Sequence, residues 1–196
     1  ARTAGIRRIS IDLIYGLPGQ TEARALASVD AALALEPDHL SAYTLTIEPE
    51  TVLARRVRLG LFKPMPDDEQ AARIERVSAH LAEAGFERYE VSSYAREGRV
   101  SVHNTLYWLG GAYLGLGAGA HGYLPGPGLE RAVRRENVKS PERYVETALA
   151  GRTEARFEEQ LERAQVVSDR LMVVFRTAFG LDVDALDAEL GGRLER

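Results

Sequence analysis

The chain has no cysteine among its 196 residues. It therefore carries no disulfide, no thiolate metal site and no ligand of its own for an iron–sulfur cluster. No apolar run approaches the roughly 20 residues of a membrane-spanning helix. The opening stretch, ARTAGIRRIS, lacks the apolar core of a secretory signal. There is no cationic surplus either. Lys and Arg number 25 against 29 Asp and Glu, a net charge of −4, which argues against nucleic acid as the main partner. No GxxxxGK[ST] loop is present, so nucleoside-triphosphate hydrolysis has no support. Tryptophan occurs once and histidine four times.

What is present is an ordinary globular composition, 45% hydrophobic and 28% charged, with enough chain for one domain or one plus part of another. The pattern alternates strand and helix. ISIDLIYG (residues 9–16) reads as a strand, and LPGQT turns, with Thr21 a fair helix cap. Ala25, Leu26, Val29, Ala32 and Leu33 fall on one helical face, and Glu36-Pro37 stops that helix. LSAYTLT (residues 40–46) is a second strand, followed by a long, partly structured connection. Asp67 with Gln70 resembles a capping box, ahead of an amphipathic helix through Ile74, Val77, Leu81 and Ala84, with Gly85 at C′. RYEVSSYA (residues 88–95) reads as a third strand and Tyr113-Leu114 as a short fourth. Ser140-Pro141 opens a further helix that ends at Gly151. Residues 157–179 read as one long helix with Leu161, Ala164, Leu171, Val174 and Phe175 inward, and the tail from residue 181 is polar and helix-prone. Alternation of this kind predicts an α/β fold with a parallel sheet covered by helices.

One strand residue breaks the apolar rule for buried parallel strands. Asp12 shares a strand face with Ser10, Ile14 and Gly16. A carboxylate there needs a partner or an opening into a cavity, because burying it alone costs several kcal/mol. It is either a sheet-edge residue or a ligand contact suited to vicinal hydroxyls. Gly16-Leu17-Pro18-Gly19 follows at the C-terminal end of the strand, where α/β ligand sites collect.

The stretch VHNTLYWLGGAYLGLGAGAHG (residues 102–122) concentrates two histidines, the one tryptophan and six glycines. Gly117, Gly119 and Gly122 match GxGxxG by letter. A dinucleotide loop needs a helix opening at the third glycine, and YLPGPG forbids one. These glycines are expected to let backbone approach a neighbour or a ligand closely. His103, beside Asn104 and followed by Tyr107 and Trp108, is open to three readings: a structural hydrogen-bonding residue, an axial haem ligand or a proton donor. His121 sits in a glycine-rich loop and could line a pocket, while His39 and His80 read as loop and helix-surface residues without a role.

DLIYGLPGQT, PDHLSAYTLTIEPET, RYEVSSYA, VHNTLYW and YLGLGAGAH, in this order, resemble the oxygen-independent coproporphyrinogen III oxidase-like family of radical S-adenosylmethionine proteins. HNxxYW (His103, Asn104, Tyr107, Trp108) and Ile47-Glu48-Pro49 point to its haem-chaperone branch, HemW. The resemblance covers residues 9–150 and runs more loosely to 187. It implies the C-terminal part of a partial TIM-type barrel over residues 1–125, and a helical extension with the start of a truncated domain over 126–196. It implies S-adenosylmethionine contacts at Asp12, Thr46 and His121, and a haem contact at His103, Asn104, Tyr107 and Trp108, with His103 as the candidate iron ligand. It also implies a 4Fe–4S cluster held by a CxxxCxxC loop. The chain has no such loop, so it is expected to lie downstream of it, which would leave residues 9–16 as an unpaired edge. The function implied is a cytoplasmic haem chaperone that passes haem to an unidentified acceptor protein. Two alternatives remain: radical decarboxylation of coproporphyrinogen III, and an unrelated α/β small-molecule binding domain.

Overall fold

The apolar run at residues 9–16 becomes strand β1 (Ser10–Tyr15). The coordinates are a computed structural model that describes residues 1–192, so the last four residues of the polar tail lie outside the described residues. Helix α1 (Glu22–Leu33) follows β1, and the Thr21 hydroxyl accepts the Arg24 N–H at its start. It leads to β2 (His39–Thr44), which pairs in parallel with β1, with Asp12 opposite Ser41 and Ile14 opposite Tyr43. The connection after β2 contains a short helix, α2 (Val52–Arg58), capped by Thr51.

Helix α3 (Asp67–Glu83) begins without the expected capping box. Pro66 occupies the N-cap, and the Gln70 side chain donates to the Met65 carbonyl instead. A proline has no side-chain acceptor for the orphan N–H groups, so the box cannot close. The apolar stripe holds: Val77 and Leu81 are fully buried, beside Ala25, Val29 and Ala32 of α1 and Leu40 of β2. Each of the buried Val and Leu side chains contributes about 1.5–3 kcal/mol by burial. Gly85 ends α3 with φ of 82°, the left-handed turn that glycine takes at no steric cost.

The third strand departs from expectation. Residues 88–95 do not run straight but fold into β3 (Glu87–Arg88) and β4 (Ser93–Ala95), which pair antiparallel. Arg88 closes the turn on the carbonyls of Glu90 and Val91, and the Glu90 carboxylate accepts from the Ser92 N–H and hydroxyl. The returning β4 therefore meets β2 antiparallel, and the sheet order is β1-β2-β4-β3. Only the β1–β2 pair is parallel, and β1 stands at an edge of this described sheet.

By compactness the chain divides between Val100 and Ser101. The second unit holds α4 (Val102–Trp108), β5 (His121–Pro125), β6 (Arg131–Asn137), α5 (Pro141–Leu149), β7 (Ala155–Glu162), α6 (Arg163–Val174) and α7 (Val183–Glu189). Its sheet is antiparallel in the order β5-β6-β7. Tyr113 adds an isolated bridge to Tyr123, in place of the expected fourth strand. The long helix expected at 157–179 is a correction: its first part is β7, and α6 starts only at Arg163. The charges decide this. Glu158 and Glu159 pair across the ladder with Arg135 and Arg134, contacts a helix there would lose. Glu162 and Gln165 then form a complete capping box for α6. Leu161 and Val174 are buried as expected, but Ala164 and Phe175 are exposed. The core of this unit gathers Leu129, Ala132, Leu161, Val166 and Leu186.

Candidate functional site

The first unit presents two faces of β1. Ile11, Leu13 and Tyr15 pack on the helices. Burial, with help from Tyr94, pushes the Tyr15 phenol up to about 12. The opposite face carries Asp12, which is exposed and has no hydrogen-bond partner among the described residues. At the C-terminal ends of the strands the loop of residues 16–20 is folded around one amide. The Gln20 side-chain oxygen accepts the N–H of Gly16 at 2.8 Å and of Leu17 at 3.4 Å, while Gly16 takes φ of 78°. Beside it lies a cavity of about 250 Å³ lined by Gly16, Leu45, Thr46, Ile47, Phe62, Pro64, Met65 and Gln70. Thr46 is thus at a cavity; Asp12 lies on the open sheet face.

That face holds residues the sequence reading passed over. His39 begins β2 as a buried residue rather than a loop position. Its Nδ1 lies 2.8 Å from Ser10 Oγ and its Nε2 2.7 Å from the Tyr89 hydroxyl. Burial lowers its pKa, and the charges of Asp12 and Glu90 push back. Glu90 and Ser93 are buried as well, and Ser93 Oγ has no hydrogen-bond partner among the described residues. A signal existed: His39, Ser41 and Tyr43 alternate with Leu40 and Ala42, the period of a strand with one polar face. His80, as read, sits on α3, where it pairs with Asp30 at 2.6 Å.

In the second unit, HNxxYW is a helix. Ser101 caps α4 by accepting the Asn104 N–H. The four-residue spacing places His103 and Tyr107 on one face. The Tyr107 hydroxyl lies 2.9 Å from His103 Nε2, and the rings meet edge to face at 4.7 Å. Both residues are exposed, while Asn104 and Trp108 are half-buried. The aromatic run continues inward. Tyr107 meets Tyr113 at 4.3 Å, again edge-on, and Tyr113 meets Tyr123 at 6.1 Å. Burial raises the pKa of both Tyr113 and Tyr123, so they stay neutral phenols.

These three tyrosines wall a half-open pocket of about 220 Å³ between α4, β5, β6 and α6. Leu129, Met172 and Val173 supply apolar surface, and Arg134, Asp169 and Arg170 supply charge. Arg134 is engaged by Glu159 at 3.2 Å and by Asp169.

The glycine-rich loop serves packing. A Cβ on Gly115 would lie 2.5 Å from the His121 carbonyl oxygen, and one on Gly122 would lie 3.3 Å from the Gly115 nitrogen. The Asn137 amide donates to the carbonyls of Gly115 and Gly117 at 3.0 and 2.9 Å, and the Gly117 N–H donates to the Tyr144 hydroxyl. Strand β5, not a helix, begins at His121. His121 is exposed, 4.0 Å from the buried Glu136 carboxylate, which Arg156 holds at 2.7 Å. The seven residues expected at sites are thus partly assembled: His103 with Tyr107, flanked by Asn104 and Trp108. Asp12 and Thr46 belong to the first unit and His121 to the second. Among the described residues no helix is long and apolar enough to cross a membrane, and no cluster of His, Asp and Glu could hold a metal ion.

No family model matches the chain. Individual proteins do. The chain is 42% identical to the "Heme chaperone HemW" of Mycobacterium tuberculosis over 193 residues, covering 97% of this chain and 47% of that protein. It is 35% identical to the protein of the same name from Escherichia coli, covering 95% and 50%. It is 36% identical to the bovine "Radical S-adenosyl methionine domain-containing protein 1, mitochondrial", covering 89% and 40%. The chain spans about half the length of these relatives. A solved structure described as coproporphyrinogen III oxidase of Escherichia coli, a radical SAM enzyme, superposes with a TM-score of 0.74 at 19% identity, over 97% of this chain and 45% of that one. That likeness establishes the fold, an α/β partial barrel; the stretch expected as a helical extension, residues 126–196, also carries the antiparallel strands β6 and β7.

Proposed function

We propose, from the premise that the chain belongs to the HemW family of radical SAM proteins, that it supplies the haem-contacting part of a haem chaperone. The intact protein would take up haem and pass it to an acceptor protein in the cytoplasm. One observation carries this reading: an unbroken aromatic run leads from exposed His103 through Tyr107 and Tyr113 to Tyr123 and ends in a pocket. A flat, apolar, π-rich ligand suits such a wall. An imidazole whose second nitrogen is oriented by a hydroxyl suits an axial ligand. His103 has both the exposure and the Tyr107 contact that this role requires. Asn104 and Trp108 shape the other side of α4.

S-adenosylmethionine would lie toward the C-terminal ends of β1 and β2. The Asp12 carboxylate is free to accept two hydrogen bonds from a ribose diol, and Thr46 lines the cavity there. When bound, this cofactor supplies radical chemistry in the presence of a reduced cluster. The 4Fe–4S cluster does not fit this chain, which has no thiolate to hold it, and no step is assigned to it.

The test is a haem titration of the full-length protein, followed in the Soret band, for wild type and His103→Ala. The expected result is a shifted Soret maximum on binding and a weaker, altered complex in the variant. An identical spectrum and affinity would remove His103 from the site.

A further inference from the structure

We infer that the tyrosine-walled pocket of the second unit holds the carboxylate-bearing edge of the haem, with Arg170 as the anchor for a propionate. This deepens the reading above and rests on it.

The pocket is too small for a whole tetrapyrrole. At about 220 Å³ it falls below the ~300–1,000 Å³ of sites that enclose a drug-sized ligand. It is half open and takes one edge of a flat molecule. Three tyrosines form its wall, and burial keeps the phenols of Tyr113 and Tyr123 neutral, so an aromatic ring meets no fixed charge on those two. The charge of the pocket comes from the Asp169 carboxylate and from two arginines with different bonding. Arg134 is saturated by two carboxylates, Glu159 and Asp169. Arg170 has one ion pair among the described residues, to Glu189 at 3.8 Å, too long for a hydrogen bond. The side chain is only 24% exposed; its guanidinium keeps its donor fork available, and that fork matches a carboxylate.

Gly110 secures this placement. A Cβ there would lie 2.9 Å from Arg170 Cδ and 3.3 Å from Nη1. The missing side chain is what lets the arginine lie across the end of α4 at the pocket. An aromatic wall with an under-bonded guanidinium recognises a planar ligand carrying a carboxylate. A plain aromatic residue of a peptide would leave the guanidinium without a partner.

The experiment compares haem with haem dimethyl ester, whose propionates are blocked, on full-length wild type and Arg170→Ala, by Soret titration. Wild type should bind the ester about 10-fold more weakly than haem, the range of one hydrogen-bonded charged group. Arg170→Ala should bind haem about 10-fold more weakly, and should show little further loss with the ester. Arg170→Lys, which keeps the charge but not the fork, should fall between. Trp108 fluorescence checks that each variant is folded. Equal loss for both ligands in Arg170→Ala, or no discrimination between haem and ester by wild type, would overturn the anchor while leaving the haem reading intact. No haem binding by wild type would overturn both.

Discussion

Replacing Gly115 with alanine tests whether the glycine-rich stretch exists for packing. Gly115 does not sit in the left-handed region, so alanine meets no backbone strain there. The obstacle is steric. The added Cβ would lie 2.5 Å from the His121 oxygen, 2.7 Å from the His121 carbonyl carbon and 2.8 Å from the Ala120 carbonyl carbon. Carbon contacts are favourable near 3.5–4.0 Å, so backbone must move by about 1 Å. All three neighbours are main chain, which cannot rotate away as a side-chain tip can. Overpacking of this kind costs about 1–3 kcal/mol, and the reduced freedom of the unfolded chain returns about 0.4–1 kcal/mol. A net loss of about 1.3 kcal/mol at the middle of these ranges should lower the unfolding midpoint by roughly 5–10 °C in a unit of this size. The two hydrogen bonds from Asn137 to this loop would be strained at the same time. Trp108, the only tryptophan, lies in the same unit, so its fluorescence reads the transition directly. Gly151→Ala sets the scale. It has open space and φ of 68°, so it should lose only the ~1–2 kcal/mol of left-handed strain. An unchanged midpoint in Gly115→Ala, combined with weakened haem binding, would refute the packing account and make this a ligand-approach glycine.

Leu81→Ala should destabilise the first unit by about 2–5 kcal/mol, because Leu81 is fully buried against α1 and β2; urea unfolding followed by far-UV circular dichroism measures it. Acid should erode the same unit in two steps. His39 is held below its ordinary value by burial, so the unfolded chain protonates first and stability falls as pH drops below about 6.5. Asp38 is held low by the Ile9 N–H and by Arg99, so its contribution is complete above the usual aspartate range and is lost as pH falls through and below it. His39→Gln should abolish the first step and Asp38→Asn the second, in urea midpoints measured against pH. Tyr107→Phe keeps the ring stack but removes the hydroxyl from His103, and should weaken haem binding by about 10-fold, the lower end expected for loss of a ligand's orienting partner. A Soret titration in which it matches wild type would show that the hydroxyl is idle.

Periodicity made the first unit largely legible. The apolar stripes of α1 and α3, the cap at Thr21 and the left-handed glycine at 85 are all local features, as is the Ser140 cap in the second unit, and local features survive into the fold. The reversal at residues 89–92 was not legible, because it depends on Arg88 and Glu90 finding partners within the turn. Strand β7 was misread for a related reason. Leu161 and Val174 fit a helical stripe by spacing, but the ladder with Arg134 and Arg135 comes from a distant strand. At the candidate site, the HNxxYW spacing was readable as one helical face. Tyr123, Arg134 and Arg170 were not, since no sequence spacing joins α4 to β5, β6 and α6. His39 was missed although its alternation with Leu40 marked it as facing away from the helices.

The turn that closes β1 is fastened by Gln20, an amide with no proton to gain or lose near neutrality. None of the residues around the neighbouring hollow, from Gly16 to Gln70, is ionisable. Acidity and ionic strength therefore have little purchase on it. A molecule seated there should feel the same grip in dilute buffer and in brine, and any salt sensitivity in its uptake must originate in charges beyond that hollow.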